Sequence, residues 1–306
     1  VSAAADGVLI LTGPTASGKT ALALELAEAF DAEIIGADSR QIYRGMTIGT
    51  AAPDAHERAR VPHHLIAFLD PAERYSAARY VVDARAAIDA AHARGRRALV
   101  VGGTGFYVRA LAGDVVLDAA HDGTLRERLA REARTHPPDV LAAWLAALAP
   151  GRAGAIDAHD PYRVTRALEI ALARRGAPVP ARGPLPSLRA DGIPYLKLWL
   201  EIEPSLLLER IERRVDGMLA AGLVDEAERI GLGAVAADAV GYREALAYAA
   251  GWSTAAELRA QLIRATRRYA KRQATWFRTE PDLVRVAPHD VSATARQRLG
   301  WTKARR

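Results

Sequence analysis

Four short apolar runs are set among longer stretches patterned at helical spacing. Val8–Leu11, Glu33–Ala37 and Ala98–Val101 are compact and largely apolar, and Tyr195–Ile202 carries Leu196, Leu198, Trp199, Leu200 and Ile202. Runs of this length suit strands of a parallel sheet covered on both faces. Between them, Ala21–Phe30, Ser76–Ala93 and Phe106–Ala112 repeat apolar residues at a period that predicts helices. Strands alternating with helices specify an α/β fold with a doubly wound parallel sheet, whose ligands bind beyond the carboxyl ends of the strands.

The pattern changes over residues 117–193. Leu125–Arg134, Val140–Leu148 and Tyr162–Arg175 follow one another as helices with no strand between them. The stretch closes on a Pro/Gly-dense connector, Gly176-Ala177-Pro178-Val179-Pro180 and Gly183-Pro184-Leu185-Pro186, which cannot continue a helix. An all-helical subdomain inserted into the α/β core is expected here. The core is then residues 1–116 and 194–306, finishing in helices from Pro204 to Glu280.

The first turn after the first strand carries the strongest chemical signal. Gly13-Pro14-Thr15-Ala16-Ser17-Gly18-Lys19-Thr20 matches the phosphate-loop pattern and lies between a strand and a helix, as the pattern requires. Its glycines let backbone N–H groups converge on an anion at a helix N-terminus. Lys19 adds a point charge, and the Thr20 hydroxyl is placed to ligate Mg²⁺.

Asp38 follows the second strand, within Asp38-Ser39-Arg40-Gln41. A carboxylate beside a phosphate loop can ligate metal or accept a proton, while a turn or cap is its commoner structural use. After the third strand comes Gly102-Gly103-Thr104-Gly105, where the glycines permit close approach of a ligand and make Thr104 a further site candidate. Pro62-His63-His64 invites a metal reading. It fails because adjacent residues of an extended chain point to opposite faces, so packing or hydrogen bonding is expected instead.

The 306 residues are 50% hydrophobic and 25% charged, the composition of an ordinary globular protein. There is no Cys, which excludes disulfides, thiol catalysis and Cys-based zinc sites, and fits a cytoplasmic setting. Val1–Asp6 has no signal-peptide character, no run reaches membrane-spanning length, and no stripe demands a partner chain, so a monomer is expected. The net charge of +6 gains meaning from its placement. At 100° per residue, Arg264, Arg267, Arg268, Lys271 and Arg272 form one basic stripe, with Leu258, Leu262, Tyr269 and Trp276 opposite. A stripe without interleaved acids favours a polyanion such as RNA over a merely solvated face. Tyr162-Arg163-Val164-Thr165-Arg166 and Val240-Gly241-Tyr242-Arg243 add aromatic and basic groups suited to unpaired bases.

Taken in order, these segments resemble the tRNA dimethylallyltransferase (tRNA isopentenyltransferase) family from about Leu9 to Phe277. Further matches are Ile48-Gly49-Thr50, Tyr75-Ser76-Ala77-Ala78, Gly222-Leu223-Val224-Asp225-Glu226 and Thr266–Phe277. The resemblance implies transfer of a dimethylallyl group from dimethylallyl diphosphate to N6 of the adenosine 3′ of the tRNA anticodon. It implies Gly13–Thr20 as a diphosphate cradle with Mg²⁺ at Thr20, Asp38 as general base, and Thr104 beside the reacting centre. Asp38–Gln41, Tyr162–Arg166, Asp238-Ala239-Val240-Gly241-Tyr242-Arg243 and Arg126 are implied as contacts to the anticodon stem-loop, and Arg210 and Arg214 as diphosphate ligands. Thr47 and Ala52 depart from the family, where Asp and Lys are frequent. A P-loop kinase using ATP would share the sheet, the loop and Mg²⁺, but would leave the basic stripe unexplained.

Overall fold

The computed structural model describes residues 7–115, 117, 123–176 and 185–302. Residues 177–184 of the connector and residues 1–6 lie outside them. The chain divides into two compact units, residues 1–115 with 186–306 and residues 116–185.

The larger unit is built on six parallel strands: β1 (Val8–Thr12), β2 (Ala32–Gly36), β3 (His63–His64), β4 (Arg97–Val101), β5 (Tyr195–Leu200) and β6 (Leu283–Val286). Their order across the sheet is β3-β2-β4-β1-β5-β6. Every residue of β1 is buried, as expected of a strand with parallel neighbours on both sides and helices on both faces. Leu9 stands level with Leu99 of β4 and Leu196 of β5. Two edge strands were not expected. β3 has only two residues, and β6 puts exposed Arg285 between Val284 and Val286, so neither has an apolar run to announce it.

One face of the sheet packs on the helix Lys19–Phe30 through Leu24, Leu26 and Phe30, with Trp301 set edge-on to Phe30. A second core gathers Tyr43, Met46, Leu223, Tyr242, Leu258 and Leu262 beneath the C-terminal helices. These include Pro204–Ala220, Leu223–Ile230, Tyr242–Ala249 and the long helix Ala255–Phe277, which opens on a Thr254–Glu257 capping box.

The smaller unit is helical over Gly123–Thr135, Pro138–Leu148, Pro150–Ala153 and Pro161–Gly176. Its core is Leu129, Leu141, Leu145, Val164, Ala167 and Leu168. Val164 is therefore an interior packing residue, which corrects its expected role as a nucleic-acid contact. Among the described residues no helix is long and apolar enough to cross a membrane.

Where the core chain leaves for this unit and where it returns are hydrogen-bonded to each other. Leu188 N–H donates to Leu111 O, and Arg189 N–H donates to Ala112 O. Beside them lies an ion cluster. The Lys197 ammonium, fully buried on β5, reaches Asp114 at 2.6 Å and Glu280 at 2.7 Å, and Arg189 and Arg109 hold the outer carboxylate oxygens.

Candidate active site

The loop after β1 turns through Ala16 and Gly18, both in left-handed backbone (φ 64° and 88°), and delivers Lys19 to the helix N-terminus. The turn thus ends on the N-terminus of a helix, whose leading N–H groups suit an anion. The Lys19 ammonium folds back, donating to Gly13 O at 2.8 Å and Pro14 O at 2.7 Å. Burial pushes it down to about 7, with Asp38 pulling the other way and Arg214 reinforcing the fall.

Two arginines of the helix Pro204–Ala220 flank the loop. Arg210 donates to Ser17 O at 2.8 Å, and Arg214 donates to Thr50 O at 3.1 Å. The Arg214 Nε is buried without a partner among the described residues, and burial lowers the group's affinity for its proton. An anion would relieve both.

Asp38 sits just past the end of β2. Its Oδ1 accepts from Arg40 N–H at 2.9 Å and Gln41 N–H at 3.4 Å, which forms an Asx turn and fixes the side chain. Oδ2 accepts no hydrogen bond among the described residues. Beside it, the Thr104 hydroxyl accepts from Ser39 N–H at 2.9 Å and donates to Ser39 Oγ at 3.3 Å.

A cleft of about 720 Å³ joins these groups. Thr15–Ala21, Asp38–Gln41, Arg210, Arg213 and Arg214 line it, together with Asp238–Gly241, Tyr269, Arg272 and Gln273. Arg40 and Asp238 pair across it, with contacts of 2.7 and 2.9 Å. The expected loop, Asp38 motif, two arginines and Asp238–Gly241 thus share one space. Gly13, Pro14 and Thr104 do not line it; Thr104 acts on it through Ser39. Arg264, Arg267, Arg268 and Lys271 also lie outside it, yet they and Arg272 are exposed and make no ion pair among the described residues. The stripe is therefore available to a polyanion.

Two expectations need correction. Tyr242 is fully buried, its hydroxyl donating to Glu226 at 2.7 Å, so it offers no ring to a base. The same carboxylate accepts from Ile48 N–H and Gly49 N–H, and a Cβ on Gly49 would stand 2.6 Å from the Tyr242 ring. Second, Gly103 and Gly105 make room for protein rather than ligand, whereas Gly102 lines the cleft while abutting Ala37. A Cβ at Gly102 would lie 2.1 Å from Ala37 O, at Gly103 2.1 Å from Gln273 Nε2, and at Gly105 2.1 Å from the Trp276 ring. Arg126 and Arg166, expected as nucleic-acid contacts, both pair with buried Glu169 in the helical unit and keep part of their side chains at the surface, and Tyr162 and Arg163 are exposed there.

His63 and His64 have partners of their own: His63 Nδ1 meets Val61 O, and His64 Nε2 meets Glu33 at 2.6 Å. Sequence reasoning missed Glu226 and Gln273 as individual residues. Gln273 had a signal, an amide one helical turn from Tyr269 on the core side of an amphipathic helix.

A Gly-rich loop running from the central strand of a parallel sheet into a helix N-terminus defines the P-loop class of α/β proteins. Within that class the match is specific: the IPP transferase family model covers residues 41–280 and the isopentenyl transferase model residues 6–63. The chain belongs to the IPP transferase family. It is 42% identical over 284 residues to a tRNA dimethylallyltransferase of Geobacter metallireducens, covering 91% of this chain and 92% of that one. It is 45% identical over 285 residues to its counterpart in Thiobacillus denitrificans, covering 90% of each. Among solved structures it resembles the full-length tRNA isopentenylpyrophosphate transferase of Bacillus halodurans, with TM-score 0.69, 34% identity, and 96% and 97% of the two chains covered. A eukaryotic dimethylallyltransferase acting on tRNA is similar at TM-score 0.74 and 25% identity, over 95% of this chain and 77% of that one.

Proposed function

We propose that this enzyme transfers the dimethylallyl group of dimethylallyl diphosphate to N6 of the adenosine 3′ of the anticodon in tRNA. The observation that carries the reading is that the phosphate loop and Asp38, with one carboxylate oxygen unengaged, line a single cleft. The target adenine is turned out of its stack to enter that cleft. Its amine is a weak nucleophile because the lone pair is delocalised into the ring. As N6 bonds to C1, Asp38 takes the N6 proton and the C1–O pair leaves with the diphosphate. Lys19, the remaining free amides of the loop at the helix N-terminus, Arg210 and Arg214 receive that charge in a site built before reaction.

A divalent cation fits this site as a companion of the substrate. No cluster of three or more His, Asp or Glu able to hold a metal occurs among the described residues. The Thr20 hydroxyl and phosphate oxygens would therefore hold it, the ligation Mg²⁺ favours. When bound, Mg²⁺ supplies charge neutralisation to the leaving diphosphate.

Nucleic acid is read here as meeting the exposed Arg264–Arg272 stripe, with Ser39, Arg40, Gln41 and Asp238–Gly241 around the flipped base. Tyr162, Arg163 and Thr165 are the candidate contacts of the helical insert, read as a tRNA-binding subdomain. Action as a monomer on tRNA in the cytoplasm completes this reading. The test is incubation with radiolabelled dimethylallyl diphosphate and unmodified tRNA. Label in tRNA is expected; no label, with phosphate transfer from ATP instead, would make the protein a P-loop kinase.

A further inference from the structure

The long helix Ala255–Phe277 turns one amide inward at Gln273, which is buried. Gln273 Oε1 accepts from Thr15 N–H at 2.8 Å, and Nε2 donates to Gly103 O at 3.1 Å. One side chain therefore bonds the anion loop after β1 and the turn after β4, although it lies more than a hundred residues from either in sequence. Gly103 has no Cβ where one would stand 2.1 Å from Gln273 Nε2, so the backbone is cut to receive this amide.

The loop has two other polar side-chain tethers, Lys19 through Gly13 O and Pro14 O and Arg210 through Ser17 O, and both are cations. An ammonium that turns to a diphosphate gives up those carbonyls, because its three protons are then directed to phosphate oxygens. Gln273 is not charged and has no reason to leave. It keeps the Thr15 peptide oriented at the moment when Lys19 lets the loop go.

We propose that Gln273 is a positioning residue for diphosphate binding, holding the Thr15 peptide and the Gly103 turn so that the loop retains its anion-receiving shape once Lys19 engages the ligand. This rests on the diphosphate reading above.

The test measures binding of inorganic diphosphate with Mg²⁺ by calorimetry and binding of tRNA alone by filter retention. Gln273→Met preserves length and removes both hydrogen bonds. Diphosphate affinity is expected to fall roughly tenfold, the loss that goes with about one kilocalorie-scale buried polar interaction, while tRNA affinity stays within about twofold. Gly103→Ala leaves Gln273 in place but displaces its amide, so it should weaken diphosphate comparably, and it carries the test if Gln273→Met does not fold. In a Gln273→Ala background, Gly103→Ala should add no further loss, because the clashing atom is gone. Unchanged diphosphate affinity in both single variants, or equal loss of diphosphate and tRNA binding, would overturn the proposal. Wild-type protein that prenylates tRNA alongside indifferent variants sinks only this inference. Wild-type protein that binds no diphosphate and labels no tRNA sinks the functional reading instead.

Discussion

Asp38→Asn isolates the proton-accepting step, and the structure sets what it should cost. Asparagine keeps an oxygen where Oδ1 accepts from Arg40 N–H and Gln41 N–H, so the turn that aims the side chain survives. Exchanging a charged acceptor for a neutral one weakens these bonds, and the fold should lose no more than about 1 kcal/mol. The free oxygen is different, because an amide cannot take a proton from adenine N6. Loss of a general base lowers turnover about 10²- to 10⁴-fold, equivalent to roughly 2.7–5.4 kcal/mol in the barrier. The assay is steady-state transfer from labelled dimethylallyl diphosphate to an anticodon stem-loop, with the Kd for RNA measured separately by filter binding. A large fall in kcat with a Kd within about threefold of wild type is expected. Turnover within tenfold of wild type, or a rise in Kd by the same factor as the fall in kcat, would refute Asp38 as the base.

Other consequences can be checked in the same way. Glu226→Ala leaves Ile48 N–H, Gly49 N–H and the Tyr242 hydroxyl unpaired in the interior, and should lower stability by about 3–5 kcal/mol in urea unfolding. A change under about 1 kcal/mol would show that the carboxylate matters little. Burial holds Lys19 near 7, below its unfolded value of 10.5, so the free protein gains stability from this group as pH rises from about 7 toward 10. A diphosphate restores the charge, and binding at pH 8 should take up a proton in calorimetry across buffers of different ionisation enthalpy. Uptake equal in wild type and Lys19→Met would contradict this assignment. Affinity for tRNA should fall steeply with salt, and replacing Arg267 and Arg268 by Gln should flatten the slope by about one unit each. An affinity indifferent to salt would remove the stripe from the interface.

What the sequence made legible was local. The phosphate loop needs only eight consecutive residues and their two neighbours, and the basic stripe needs only helical periodicity, so both were found. The insert announced itself because three apolar-periodic stretches follow one another without a strand. Tertiary contact hid the rest. Gly103 read as room for a ligand because its actual neighbour, Gln273, is distant in sequence. Tyr242 read as a stacking platform because nothing near it betrays Glu226, sixteen residues upstream, as its hydrogen-bond partner. Val164 read as a contact because the resemblance spans the whole run Tyr162–Arg166, although on a helix it faces the interior while Tyr162 and Arg163 face out.

The paired exit and return points at Leu111–Leu188 and Ala112–Arg189 bear on how such a chain evolves. Both ends of the helical insert are stitched together by the core itself, with the Lys197 cluster alongside. Excising residues 116–185 and splicing the stumps with a short glycine linker should therefore leave a foldable catalytic body. An appendage fastened this way can change in length without disturbing the sheet that carries the phosphate loop and Asp38, so its loss should cost tRNA affinity before it costs the fold.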